Sequence, residues 1–149
     1  MVKGVLHPQD AVLAADNGAD AVIVSNHGGR NFDATPAPID VLPLIVDAAG
    51  RRLTVIVDGG VRRGTDVVKA LALGADCVLV GRAPLYGVAA AGEAGAARAI
   101  RIFQDEIDRT LALLGCCGID ELGREMLLAN GGVPDAVPVQ SVPRKLSVV

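Results

Sequence analysis

The chain has 149 residues, 51% of them hydrophobic yet only 2% aromatic, with 18 glycines, a net charge of -3 and a pI near 5.3. That is enough for one domain cored by Val, Leu, Ile and Ala, and too acidic for the basic stripe that a nucleic-acid partner requires. No apolar run reaches the roughly 18 residues of a membrane span, the first residues do not read as a secretory signal, and the three cysteines fit neither a metal spacing nor a disulfide framework, so a cytoplasmic chain is expected.

In chain order, residues 2–6 are the first expected strand, and Pro8 opens a helix over 8–17, where its missing N–H costs nothing. Residues 21–25 form an apolar run that reads as a buried strand. A long loop then leads to a helix over 38–49. A third strand over 53–58, a helix over 65–73 and a fourth strand over 77–81 follow. Residues 4–26 repeat in 60–82 without a gap: Asp10 matches Asp66, Val12 matches Val68, and Gly18-Ala19-Asp20 matches Gly74-Ala75-Asp76. Strands alternating with helices at this spacing make right-handed βαβ units and a parallel sheet. Beyond Arg82 a short helix over 84–91 leads to a longer one over 93–114. There Ile100, Phe103, Ile107, Leu111 and Leu114 form an apolar stripe suited to packing outside the sheet. A last short helix is expected over 119–129. Residues 131–149, with Pro134, Pro138 and Pro143, read as an extended or disordered arm, so the folded domain is expected to occupy 1–130.

Parallel strands put their carboxyl ends on one rim, and polar groups converge there. They are Lys3, the run Ser25-Asn26-His27-Gly28-Gly29-Arg30, the run Asp58-Gly59-Gly60-Val61-Arg62-Arg63-Gly64, and Gly81-Arg82. Between His27 and Arg30, two glycines let the backbone turn sharply and a ligand come close. A lysine inside an apolar strand needs an anionic partner, unless Lys3 is simply exposed near the chain start. Asp58-Gly59-Gly60 ends a strand and Gly64-Thr65-Asp66 opens a helix. Small residues, a helix N-terminus and the cations Arg62 and Arg82 together suggest a phosphate cradle. Tight strand-to-helix turns also use glycine without binding anything. Neither Tyr86 nor the Cys116-Cys117 pair has partners that suggest catalysis.

These blocks, with Lys69-Ala70-Leu71-Ala72-Leu73-Gly74-Ala75, resemble the signatures of the FMN-dependent 2-hydroxy acid oxidising family, over residues 2–122. Members include glycolate oxidase, lactate oxidase and mandelate dehydrogenase. Gly81-Arg82-Ala83-Pro84-Leu85-Tyr86-Gly87 and Asp108-Arg109-Thr110-Leu111 look most like the mandelate-type members. The resemblance implies an α/β fold, a (β/α)8 barrel of which this chain supplies the second half: four parallel βα units and extra C-terminal helices. It implies FMN as cofactor and a small L-2-hydroxy acid as substrate. On that carry-over His27 is the catalytic base and Arg30 pairs with the substrate carboxylate. Lys3 and Ser25 lie against the flavin, and Asp58, Gly59, Gly60, Val61, Arg62, Gly81 and Arg82 hold the ribityl phosphate end. No metal is implied.

In the family, the first four strands bring further flavin contacts, substrate-binding tyrosines and an Asp that orients the His, and no segment here matches them. A half barrel would also expose two unpaired sheet edges. The chain alone is therefore expected to be a poor enzyme that assembles with a second half or with itself, or else a non-catalytic remnant. Other phosphate-binding barrels, such as type 2 isopentenyl diphosphate isomerase and IMP dehydrogenase, share Gly-rich loops but match the His27 and Asp58 blocks less well.

Overall fold

The computed structural model describes residues 1–128, so the arm expected at 131–149 and the domain boundary at 130 lie outside the described residues. Strands β1 (Val2–Val5), β2 (Ala21–Ser25), β3 (Thr54–Asp58) and β4 (Cys77–Leu79) form one sheet in the order β1-β2-β3-β4, parallel throughout. Helices α1 (Pro8–Asp16), α2 (Pro38–Ala49) and α3 (Gly64–Ala72) connect them, and α4 (Arg82–Leu114) follows. The repeated segments match in helix and second strand, α1 with α3 and β2 with β4, but the strand expected at the start of the second copy is absent, because β3 ends at Asp58, before Gly60.

Strand alternation decides what each face carries. Val22, Val24, Val55 and Val57 expose almost nothing and pack with the fully buried Leu42 and Ile45 of α2. Burying such a side chain is worth roughly 1.5–3 kcal/mol, so stability concentrates in β2, β3 and α2. The opposite face carries Ile23, Ser25, Ile56 and Asp58, with Ile23 level with Ile56 and Ser25 level with Asp58. Lys3 of β1 is level with Ile23, just before a register shift at Gly4. The outer strands are barely covered, as the burial of Val2 and Leu79, 44% and 38% exposed, shows.

Three further expectations need correction. The fourth strand stops at Leu79 rather than 81, which frees Val80 and Gly81 to lead directly into α4. The two helices expected after Arg82 are both present within α4, parted at Ala91 and Gly92, whose backbones are not helical. Across this break the backbones of Gly87 and Gly95 touch, and a Cβ added at Gly87 would lie 2.4 Å from the Gly95 carbonyl oxygen. The apolar stripe packs on α3 rather than on the sheet: Phe103, Ile107 and Leu111 are half-buried, whereas Ile100 is 51% exposed. No α-helix forms over the described part of 119–129. Gly118 and Gly123 are extended, leaving only two 3-10 turns, Ile119–Glu121 and Arg124–Met126. Arg124 fastens this segment, donating to both Asp47 oxygens (2.8 and 3.2 Å) and to the carbonyls of Leu73 and Pro43 (3.3 Å each).

Candidate active site

The carboxyl ends of the strands open onto a cavity of about 780 Å3. His27, Gly28 and Arg30 reach it from the β2 end, Asp58 through Arg62 from the β3 end, and Leu79, Gly81 and Arg82 from the β4 end. Nine of the eleven residues singled out by sequence line this one space. The other two, Lys3 and Ser25, do not line it but touch Asp58, which does. Lys3 forms an ion pair with Asp58, and the Ser25 hydroxyl bonds the same carboxylate oxygen at 2.9 Å. The costly strand lysine therefore has its anion.

Burial works against charge on Asp58, but hydrogen bonds from Lys3 and Ser25, with the nearby charges of Lys3 and His27, outweigh it. The carboxyl is held below the usual aspartate range.

His27 heads a 3-10 turn, His27–Gly29, and its φ of +57° is the left-handed region that side-chain-bearing residues seldom adopt. Its N–H donates to Ser25 Oγ at 3.1 Å, and the Asn26 side chain caps the next residue, accepting the Gly28 N–H at 3.0 Å. Gly28 also passes beneath Arg82: a Cβ there would sit 3.4 Å from the guanidinium Nη2. Arg82 is thereby brought over the His27 turn.

The expected phosphate cradle is only partly available. At the start of α3, the Gly64 N–H donates to Glu106 at 2.7 Å, and the Arg62 and Arg63 N–H groups donate to Asp66 at 2.9 and 3.0 Å. Arg63 also binds Glu106, and this contact with the backbone N–H holds the Glu106 carboxyl below its usual range. Two carboxylates thus fill the anion-binding end of this helix. At the start of α4 the reverse holds. Gly81 supplies no side-chain cap, and Arg82, Ala83, Leu85 and Tyr86 of the first turn face the cavity.

The N–H groups of Gly59, Gly60, Val61 and Gly81 meet no acceptor among the described residues. Free amides, two guanidiniums and an uncapped helix start are the donor set that a phosphate monoester requires. Gly59 has φ +115° and lies so close to Asn26 and Pro38 that a Cβ would come within 3.3 Å of each. The residues present fit an FMN phosphate.

Leu85 and Tyr86 are cavity residues that sequence reasoning passed over. The signal was available, since residues three and four beyond Arg82 share its helix face. Glu106 carried no local signal, because its partner lies 42 residues away.

A family model described as FMN-dependent dehydrogenase matches residues 1–129. Glycolate oxidase 1 of Zea mays is 50% identical over 138 residues, which cover 93% of this chain and 37% of that protein. An L-lactate oxidase of Roseobacter sp. (strain GAI101) is 48% identical over 132 residues, 89% of this chain and 36% of its own. Among solved structures, the monotopic membrane protein (S)-mandelate dehydrogenase is similar at a TM-score of 0.82 and 48% identity, covering 85% of this chain and 34% of that one. The chain spans about a third of the length of these relatives, and its four βα units correspond to part of a flavoenzyme barrel. No helix among the described residues is long and apolar enough to cross a membrane. With a family model covering nearly its whole length, and a rim whose donors suit FMN, the chain belongs to the FMN-dependent dehydrogenase family.

Proposed function

We propose that this chain provides the carboxyl-terminal catalytic groups for FMN-dependent oxidation of a small L-2-hydroxy acid to the 2-oxo acid. One observation carries the reading: His27 and Arg30 line the same cavity as the open amides of Gly59, Gly60, Val61 and Gly81 and the guanidiniums of Arg62 and Arg82. A base, a carboxylate clamp and a phosphate cradle thus share one space.

Bound FMN supplies the two-electron acceptor. The protein's own groups do the rest. Arg30 presents a guanidinium fork that binds a carboxylate bidentately and so fixes the orientation of the hydroxyl-bearing carbon. His27 takes the proton that the alcohol gives up as it becomes a ketone. Gly59, Gly60, Val61, Arg62, Gly81 and Arg82 hold the phosphate, while Lys3 and Ser25, fixed through Asp58, face the flavin ring. A reducing compartment such as the cytoplasm suits the three free cysteines.

The exposed outer strands support a second element of the proposal. The chain works when its sheet is completed, by the first half of such a barrel or by a second copy, and is a poor enzyme otherwise. The test is to fuse the chain behind the part of the maize glycolate oxidase that it does not match. The fusion is then assayed with lactate, glycolate and mandelate and a dye acceptor. His27→Ala should cut turnover by a factor of 10² to 10⁴, roughly what general-base catalysis contributes. Equal turnover by the His27→Ala form would leave the reading without its base.

A further inference from the structure

The Ser25 hydroxyl has a bonding pattern that the reaction by itself does not require. A hydroxyl offers one donor and two acceptor sites, and here all are used. Lys3 Nζ can only donate, and it lies 3.2 Å from Ser25 Oγ. The His27 backbone N–H can only donate, at 3.1 Å. The hydroxyl proton must therefore go to Asp58, the carboxylate at 2.9 Å. Ser25 is itself 2% exposed, so water does not compete for these bonds.

His27, whose N–H this hydroxyl accepts, is the one non-glycine residue with positive φ among those described. His27 sits in a conformation disfavoured for its side chain, and such strain persists only where the surroundings over-determine it. Gly28 and Gly29, next in sequence, share the positive φ but lack a Cβ and need no restraint. Asn26, immediately before, caps the turn through Gly28 and does not touch the His27 N–H.

We propose that Ser25 is a positioning residue for His27. Its hydroxyl, aimed by Asp58 and Lys3, pins the His27 backbone in the left-handed turn that presents the imidazole to the cavity. The strand pair makes this possible, because Ser25 and Asp58 are level neighbours on one sheet face. The role is additional to any contact of Ser25 with cofactor, and it rests on the reading of His27 as the base.

The test uses NMR on the 149-residue chain and needs no turnover. In the wild type, the coupling between the His27 amide and α protons should report a positive φ, and the His27 amide should be protected from exchange. Ser25→Ala should speed that exchange by about tenfold or more, as loss of one buried hydrogen bond implies, and move the coupling off its wild-type value. Ser25→Thr, which keeps the hydroxyl, should restore both. Asp58→Asn should have a smaller effect in the same direction, because an amide oxygen accepts the hydroxyl proton less strongly. Slow exchange at Val24 and Val57 serves as the check that each variant is folded. If Ser25→Ala does not fold, the Asp58→Asn and Ser25→Thr pair decides the matter.

A His27 amide indifferent to Ser25→Ala, or to Asp58→Asn where that pair decides, would overturn the proposal while leaving the base assignment intact. Conversely, a responsive amide with turnover indifferent to His27→Ala would remove the base and leave the tether standing. In the fused enzyme, Ser25→Ala should lower kcat with KM little changed, and Ser25→Thr should recover it.

Discussion

The starts of α3 and α4 lie at the same rim, follow adjacent parallel strands and both come after glycines, yet they are opposite in electrostatic state. At α3 the amides are spent on Asp66 and Glu106, the second of these reaching in from α4. At α4 no side chain among the described residues caps the helix, and its first turn lines the cavity. A glycine-rich turn before a helix is therefore not sufficient for an anion site. Vacancy is what matters: an acidic side chain already lodged on the amides takes the place of the ligand.

That contrast can be broken from either side. The largest effect is expected at the open helix. Arg82→Ala removes a charge-assisted contact worth about 1.5–3 kcal/mol, so FMN affinity should fall between tenfold and about a hundredfold by fluorescence titration. Riboflavin, which lacks the phosphate, should bind almost unchanged. At the filled helix the expected damage is to folding instead. A Cβ at Gly64 would lie 2.5 Å from Glu106 Cβ and 2.7 Å from the Ile107 backbone nitrogen. Gly64→Ala should therefore destabilise by about 1–3 kcal/mol in urea unfolding, with the preference for FMN over riboflavin preserved in the folded fraction.

Glu106→Gln should act more gently at the same place, lowering the melting temperature without altering that preference. Acid provides the companion test. Glu106 and Asp58 are both held below their ordinary values of 4.5 and 3.8, so their stabilisation is complete above those values. It is lost as pH falls through the lowered ones. The melting temperature should drop below about pH 4, and less steeply in Glu106→Gln. The smallest effect is expected at Tyr86, which lines the cavity but is 69% exposed. Tyr86→Phe should leave stability unchanged to within about 0.5 kcal/mol.

Much of this architecture was legible because it is written in short-range pattern. The β2 strand, the α2 helix and the ends of α1 fall within a residue of expectation, since an apolar run, a leading proline and a trailing glycine are local signals. The convergence of His27, Arg30, Asp58 and Arg82 followed from parallel topology alone. What escaped were pairings whose partners are remote in sequence. Lys3 finds Asp58 55 residues away, and Arg124 finds Asp47 77 residues away. The missing helix after Gly118 failed for a related reason. A run of eleven residues with one internal glycine is too short to hold a helix by propensity, and the Arg124 contacts hold its described part in turns instead.

The role of the open α4 start as the phosphate site is tested most directly by the ratio of FMN to riboflavin affinity in wild type, Arg82→Ala and Glu106→Gln. That role requires a strong preference for FMN in the wild type, kept in Glu106→Gln and lost in Arg82→Ala. Equal affinity of the wild type for both flavins, or a preference that disappears with Glu106 rather than with Arg82, would contradict it.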